Sequence, residues 1–144
     1  MEELISTLKV LLADANIMYH QAHGFHWNVE GNDFPEWHSK FKEIYSDVYN
    51  SIDPIAENIR KCGDYAPFTL QRFLELTSIS ESTPTSSDPI ALVGQLYETN
   101  NYILLSLYSA FAAANSVNKQ GVANFIAERI EEHEKWEWQL RASK

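Results

Sequence analysis

The segment His26–Glu57 reads HWNVEGNDFPEWHSKFKEIYSDVYNSIDPIAE, and it holds the end of one predicted helix, a turn and most of the next helix. Gly31 marks the turn, because glycine followed by asparagine tends to end regular structure. Asp33 and Glu36 resemble a capping box, which predicts that the second helix begins here and runs to about Lys61. This pattern of helix, turn and helix is typical of a helical bundle.

The same segment contains the residues that we predict to bind metal. His26 and His38 lie twelve positions apart, and Asp53 and Glu57 follow at a spacing of four, which places both carboxylates on one helix face. Imidazole and carboxylate together suit iron or another first-row transition metal. Spacing alone leaves two interpretations open, a metal site or two helix-end histidines near an ordinary exposed acid pair.

The four residues cannot meet within one copy of the chain. His38 and Asp53 are fifteen residues apart on one predicted helix, so they lie about 22 Å apart, whereas a metal–ligand bond spans ~2.0–2.2 Å. In a two-fold dimer, the histidine end of one subunit faces the acid end of the other and forms two equivalent sites. A site that uses all four residues therefore requires assembly.

The remaining sequence predicts three further long helices. Apolar residues recur every three to four positions over residues 2–29, 89–115 and 119–142, the pattern of amphipathic helices. Residues 67–77 predict a short helix before the exposed loop SISESTPTSSD, and its core-facing residues are expected to be Phe68, Phe73, Leu74 and Leu76. We expect a single all-α domain over residues 1–144, a four-helix bundle with a ferritin-like crossover, carrying this short helix, between helices 2 and 3.

Pro54 lies inside the predicted second helix. A proline there removes one hydrogen bond and costs about 3 kcal/mol. Either the helix continues through the proline, or a new helix begins with Asp53 as its N-cap, and we expect a kink near Asp53. Neither outcome closes the gap between His38 and Asp53.

Composition excludes several classes of protein. Hydrophobic residues form 44% of the 144 residues, enough for a compact core. The formal net charge of −9 argues against a surface dedicated to nucleic acid, because phosphate binding relies on clustered Lys and Arg. There is no run of 18 apolar residues, so no membrane-spanning helix is expected. Cys62 is the single cysteine, which excludes an intrachain disulfide and agrees with a reducing, cytoplasmic location.

The other histidines do not predict metal sites. Glu-x-x-His builds dimetal centres inside helical bundles, but the residues three positions before the five histidines are Ile17, His20, His23, Pro35 and Ile130. His20, His23 and His26 turn progressively around their helix, which disfavours a three-histidine zinc site. We expect His20 and His23 to make ring hydrogen bonds in a partly buried interface, and His133 to do so on the apolar face of the last helix.

Two strings of residues resemble a known family. The first reads His26-Trp27-Asn28-Val29-x-Gly31-x-x-Phe34-x-x-x-His38-x-x-Phe41, followed by Asp53-x-x-Ala56-Glu57, and the second reads His133-Glu134-Lys135-x-x-Trp138-x-Leu140-Arg141-Ala142. Both are similar to the sequences of the Dps family, ferritin-like proteins that protect DNA in starved cells. The similarity spans nearly the whole chain in the right order.

The resemblance implies a hollow shell of twelve subunits, assembled from two-fold dimers, that oxidises Fe(II) at the dimer interfaces and stores ferric iron. The oxidant it implies is hydrogen peroxide, with dioxygen as the alternative. His26 and His38 carry over as iron ligands from one subunit, and Asp53 and Glu57 as ligands from its mate. Trp27 carries over as the aromatic residue beside the centre, where it is either a one-electron buffer or packing at the dimer seam.

The chain departs from the family pattern in three places. Lys42 replaces a common acid four residues after His38, so the second iron of each centre is expected to bind weakly. Amides replace the usual acids of the iron-entry pore at Asn115, Asn118, Gln120 and Asn124. No lysine-rich terminal extension is present, so we do not expect DNA binding through a tail. Two rival functions remain, a DNA-compacting structural protein with a weakened metal site and a plain helical interaction module.

Overall fold

The computed structural model describes residues 1–144 and contains helices and loops without strands. The four long helices are α1, α2, α4 and α5, and the short α3 lies in the crossover between α2 and α4. Their bounds are Glu2–Asn28 for α1, Phe34–Lys61 for α2, Leu70–Leu76 for α3, Pro89–Ser116 for α4 and Gln120–Ala142 for α5. The predicted all-α four-helix bundle with an extra short helix in its crossover is confirmed. No helix combines the length and apolar character needed to span a membrane.

One continuous core joins the four long helices. The apolar positions of α1 that recur at helical spacing, Leu4, Leu8 and Leu11, are almost completely buried. Each such side chain contributes about 1.5–3 kcal/mol relative to leaving it in water. Trp136 of α5 is also almost completely buried in this core. The apolar faces predicted from the sequence are therefore the faces that form the core.

The short helix α3 packs through a narrower face than the sequence predicts. Phe73 is buried and Leu76 is partly buried, but Phe68 and Leu74 are exposed to solvent. The prediction that Phe68 and Leu74 face the core is therefore wrong. A helix of two turns presents only one stripe to its neighbour, and Phe68 lies before the first turn.

The helix α2 is continuous from Phe34 to Lys61 and passes through Pro54. Of the two alternatives, the restart of a new helix at Asp53 is therefore wrong, and the side chain of Asn58 donates to the carbonyl of Pro54 at 2.9 Å. The predicted capping box is also wrong, because Asp33 makes no side-chain cap hydrogen bond. His38 and Asp53 thus lie on one unbroken helix, about 22 Å apart by helical rise.

Asp14 ties the crossover to the bundle. This completely buried carboxylate of α1 accepts hydrogen bonds from Thr77 Oγ1 at 2.6 Å and from the backbone N–H and Oγ of Ser78 at 2.8 and 2.7 Å. It also accepts from Ser106 Oγ of α4 at 2.8 Å. A buried charge requires such partners, so α1 and α4 hold the end of α3 in place.

A second polar network fastens α2 to α5 inside the bundle. Arg129 donates two hydrogen bonds of 2.9 Å to the carboxylate of Asp47, and Trp136 Nε1 donates a third at 2.9 Å. Arg129 Nη2 lies 3.1 Å from His133 Nε2, and His133 Nδ1 donates to Asn100 Oδ1 at 2.8 Å. The prediction that His133 is a hydrogen-bonded core histidine is confirmed.

This network shifts the titration of both its acid and its imidazole. Burial and, to a lesser extent, the Arg129 charge lower the pKa of His133 to about 3, against the opposing effect of Asp47. Burial acts to raise the pKa of Asp47, but the hydrogen bonds and charge of Arg129 hold it below its ordinary value. Asp47 therefore stabilises the fold above about pH 4 and loses this contribution below it.

The shifted pKa of His133 predicts that the protein loses stability as the pH falls from about 6.5. The unfolded chain binds a proton on this imidazole and the folded chain does not, so one group lowers the free energy of unfolding by about 1.4 kcal/mol per pH unit. We expect this slope between pH 6 and pH 4 in urea unfolding at fixed protein concentration. It should disappear in His133→Gln and persist in His20→Gln, a change at an exposed position. An unchanged slope in His133→Gln would assign the effect to other groups.

Candidate metal centre

His26 and His38 lie side by side where α1 turns into α2. Their ring centroids are 3.7 Å apart and their planes differ by 14°, so the two imidazoles are stacked. His26 occupies the last turn of α1 and His38 the second turn of α2. The short turn between the helices therefore brings together two residues that are twelve positions apart in the sequence.

Each imidazole is held by the backbone of the other histidine. His26 Nδ1 lies 2.6 Å from the carbonyl oxygen of His38, and His38 Nδ1 lies 2.7 Å from the carbonyl oxygen of His26. A carbonyl oxygen only accepts, so both Nδ1 atoms must be the donors. In the neutral rings both Nε2 atoms then carry free lone pairs, the form in which histidine binds a metal. The donor set thus fits a transition metal such as iron.

Asp53 and Glu57 are exposed on α2, away from the histidine pair. Neither carboxylate takes part in an ion pair of the chain. No group of three or more His, Cys, Asp or Glu side chains within the chain is placed to hold a metal ion. The structure therefore brings the two predicted histidines together and leaves the two predicted acids apart from them.

Aromatic side chains surround the histidine pair. Trp27 is 63% exposed, and its ring centroid lies 4.1 Å from that of His23. Tyr45 lies 4.4 Å from His23 and 5.3 Å from His26, centroid to centroid. Burial lowers the pKa of His23, and the neighbouring charges of His26 and His20 lower it further. His23 takes part in ring contacts instead of the hydrogen bonds that the sequence predicted.

The residues at which the chain departs from the family pattern are exposed. Lys42 takes part in none of the ion pairs of the chain, whereas the neighbouring Glu43 is paired with Lys40 at 3.2 Å. The nearest acid on α2 is thus already neutralised by Lys40. The four amides predicted near the iron-entry pore lie exposed at or near the connection between α4 and α5, at Asn115, Asn118, Gln120 and Asn124.

The matches to known proteins agree with this fold. Residues 5–143 match the family model of the ferritin-like domain. The crystal structure of a Dps protein from Vibrio cholerae O1, described as a member of a broad superfamily of ferritin-like diiron-carboxylate proteins, aligns with a TM-score of 0.92 and 30% identity over 98% of this chain and 88% of that one. A Dps protein from Bacillus brevis aligns with a TM-score of 0.90 and 28% identity over 96% and 93% of the two chains.

A protein with a similar sequence supports the same family. DNA protection during starvation protein 2 of Bacillus anthracis is 29% identical over 143 residues, which cover 98% of this chain and 96% of that protein. The bundle and the domain match together define a ferritin-like protein. Within that class, the chain belongs to the Dps family, and the resemblance read from the sequence is confirmed.

The reciprocal histidine bonds predict a measurable contribution to stability. His26→Phe keeps a ring that can stack on His38 but removes the donor to its carbonyl, so we expect the free energy of unfolding to fall by about 1 kcal/mol. His20→Phe changes an exposed ring and should alter stability by less than about 0.5 kcal/mol. Denaturant unfolding of metal-free protein at one concentration measures both. Equal effects of the two changes would contradict a specific role for the His26 bond.

Proposed function

We propose that the protein is a ferroxidase and iron-storage protein whose centres form between two copies of the chain. The observation that carries this proposal is the pair of stacked imidazoles, because reciprocal backbone bonds occupy both Nδ1 atoms and leave both Nε2 lone pairs free. Two nitrogen ligands alone do not complete a site for iron. The unpaired acids Asp53 and Glu57 of a second copy supply the oxygen ligands that are missing.

The proposed ligands divide the chemistry between them. The carboxylates of Asp53 and Glu57 hold Fe(II) and stabilise Fe(III) after oxidation, since hard oxygen ligands favour the higher charge. His26 and His38 supply nitrogen ligands from the other side of the centre and leave coordination positions open to the oxidant. One hydrogen peroxide accepts two electrons and two protons, so oxidation of two Fe(II) yields two Fe(III) and two water molecules without a hydroxyl radical.

Trp27 is proposed to supply one electron when a single Fe(II) is available. Its indole is exposed in the single chain and contacts His23, which is one helical turn from His26. The alternative role, aromatic packing at the dimer seam, uses the same exposed face. Loss of oxidation rate in Trp27→Phe with unchanged assembly would favour the electron-transfer role.

The wider proposal follows the family. We propose that copies of the chain assemble from two-fold dimers into a shell of twelve in the cytoplasm, and that removal of iron and peroxide protects DNA. The net charge of −9 favours protection without direct contact. The alternative, a DNA-compacting structural protein, predicts salt-sensitive retardation of DNA in gels by metal-free protein.

Ferroxidase activity is tested by anaerobic loading with Fe(II) followed by hydrogen peroxide. We expect ferric absorbance to appear rapidly in the wild type and at least about tenfold more slowly in His38→Ala or Asp53→Ala, since each change removes one ligand. His20→Ala is the control, because this histidine is exposed. His133 is a poor control because its ring is buried in the core network. Equal rates in all variants would overturn the proposal.

Complementation between variants tests whether each centre is shared. When His38→Ala and Asp53→Ala chains are refolded together, half of the dimers are mixed and each mixed dimer keeps one intact centre. We expect about a quarter of the wild-type activity from this mixture, although each variant alone is inactive.

A mixture of His38→Ala with His26→Ala is the matched control for complementation. Both of these variants lack a histidine ligand from the same half of the centre, so no mixed dimer contains an intact site. We expect this mixture to remain inactive. Recovery in the control, or none in the first mixture, would contradict a centre shared between two chains.

A further inference from the structure

A stripe of five residues follows the outer face of α2 and is covered only in part by the rest of the chain. His38, Lys42, Tyr45, Tyr49 and Asp53 recur every three or four positions, so they share one helix face. Lys42, Tyr49 and Asp53 are exposed, and the two others are partly buried. We call these five residues the outer stripe. It carries a histidine at one end, an acid at the other, and two tyrosines and a lysine between them.

The proposed shared centre fixes how two outer stripes meet. In a two-fold pair of antiparallel helices, facing residues have numbers with a constant sum, and His38 faces the partner's Asp53 and Glu57 only if this sum lies between 91 and 95. Lys42 then faces residues 49 to 53 of the partner, which begin with Tyr49 and end with Asp53. Its side chain is long enough to reach that carboxylate.

The same register explains the tyrosines at the middle of the outer stripe. Tyr45 faces residues 46 to 50 of the partner, a span that includes the partner's Tyr49. Tyr49 is 56% exposed in the single chain, although its ring centroid lies only 5.0 Å from that of Tyr19. An aromatic centre flanked by charged residues at both ends is the composition of a protein interface. A second copy of the chain is therefore the occupant that fits this face.

We propose that Lys42 pairs with the partner's Asp53 across the seam, so that each centre contains one cation supplied by the protein and one tightly bound metal ion. This inference rests on the proposed shared centre. Lys42 has no ion-pair partner within its own chain, and neither has Asp53. The ammonium group repels a second metal ion and occupies the oxygen of Asp53 that does not bind the first ion, so a second ion lacks a ligand. Lys42 is thus a positioning and selectivity residue, which sets the number of metal ions that each centre holds.

Carbodiimide cross-linking of the wild-type, metal-free oligomer tests the contact directly. This reagent joins an amine to a carboxylate only where the two touch. Lys42 and Asp53 of one chain are eleven residues apart on a helix, about 16 Å by helical rise, and cannot be joined within it. We expect a covalent dimer whose linked peptides contain Lys42 and Asp53. A dimer that lacks this link, in protein that still shows complementation, overturns the inference and leaves the shared centre standing.

Anaerobic titration with Fe(II) or Co(II), monitored by calorimetry, measures how many metal ions each chain binds. We expect one tight ion per chain in the wild type and a second ion bound at least about tenfold more tightly in Lys42→Glu than in the wild type. Lys61→Glu makes the same charge change on the same helix, away from the outer stripe, and should behave as wild type. Two tight ions in the wild type, or no difference between the two variants, would overturn the inference. Absence of any oligomer would overturn the shared centre as well.

Discussion

The unbroken length of α2 is the constraint on which the proposed function depends. A helix advances by a fixed rise for each residue, and α2 keeps its helical conformation through Pro54. The helix therefore keeps His38, near its beginning, at a fixed distance from Asp53, near its end. A flexible loop between them would allow one chain to close its own site, but a helix does not. Two chains side by side can bring the histidines of one to the acids of the other without bending either α2 helix.

The interior of the bundle contains a polar network in which nearly every polar side-chain atom has a hydrogen-bond partner within the network. Asp47, Arg129 and His133 project inward from α2 and α5, where bundle proteins of the dimetal class place their ligands. The guanidinium neutralises the only carboxylate of this network, and Arg129 Nε is its one polar side-chain atom without a partner. His133 uses both ring nitrogens in hydrogen bonds. This network therefore has no side chain free to bind a metal ion, whereas the outer face of α2 carries several free metal-binding side chains.

The sequence predicts the fold and the pairing of His26 with His38 in one candidate site, but it misses several contacts, for reasons that differ between residues. Periodicity over many turns identifies the long helices, because the apolar stripe repeats often enough to be read. It misplaces Phe68 and Leu74 because two turns of α3 do not define a stripe. The Asp47–Arg129 pair joins residues 82 positions apart, a contact that no local pattern encodes. The reciprocal bonds of His26 and His38 depend on backbone carbonyls, which every residue has, so their spacing alone does not indicate them.

The two halves of the proposed centre are prepared to different degrees before assembly. On the histidine half, two backbone bonds and ring stacking fix both imidazoles, so little conformational entropy remains to be lost when metal binds. On the acid half, Asp53 and Glu57 are exposed and unpaired, and their side chains are free to adjust to the ion. In the proposed centre, the fixed nitrogen half would select the type of metal, and the exposed oxygen half would accommodate the change of charge on oxidation. Because neither half suffices alone, the proposed iron chemistry requires two assembled copies of the chain.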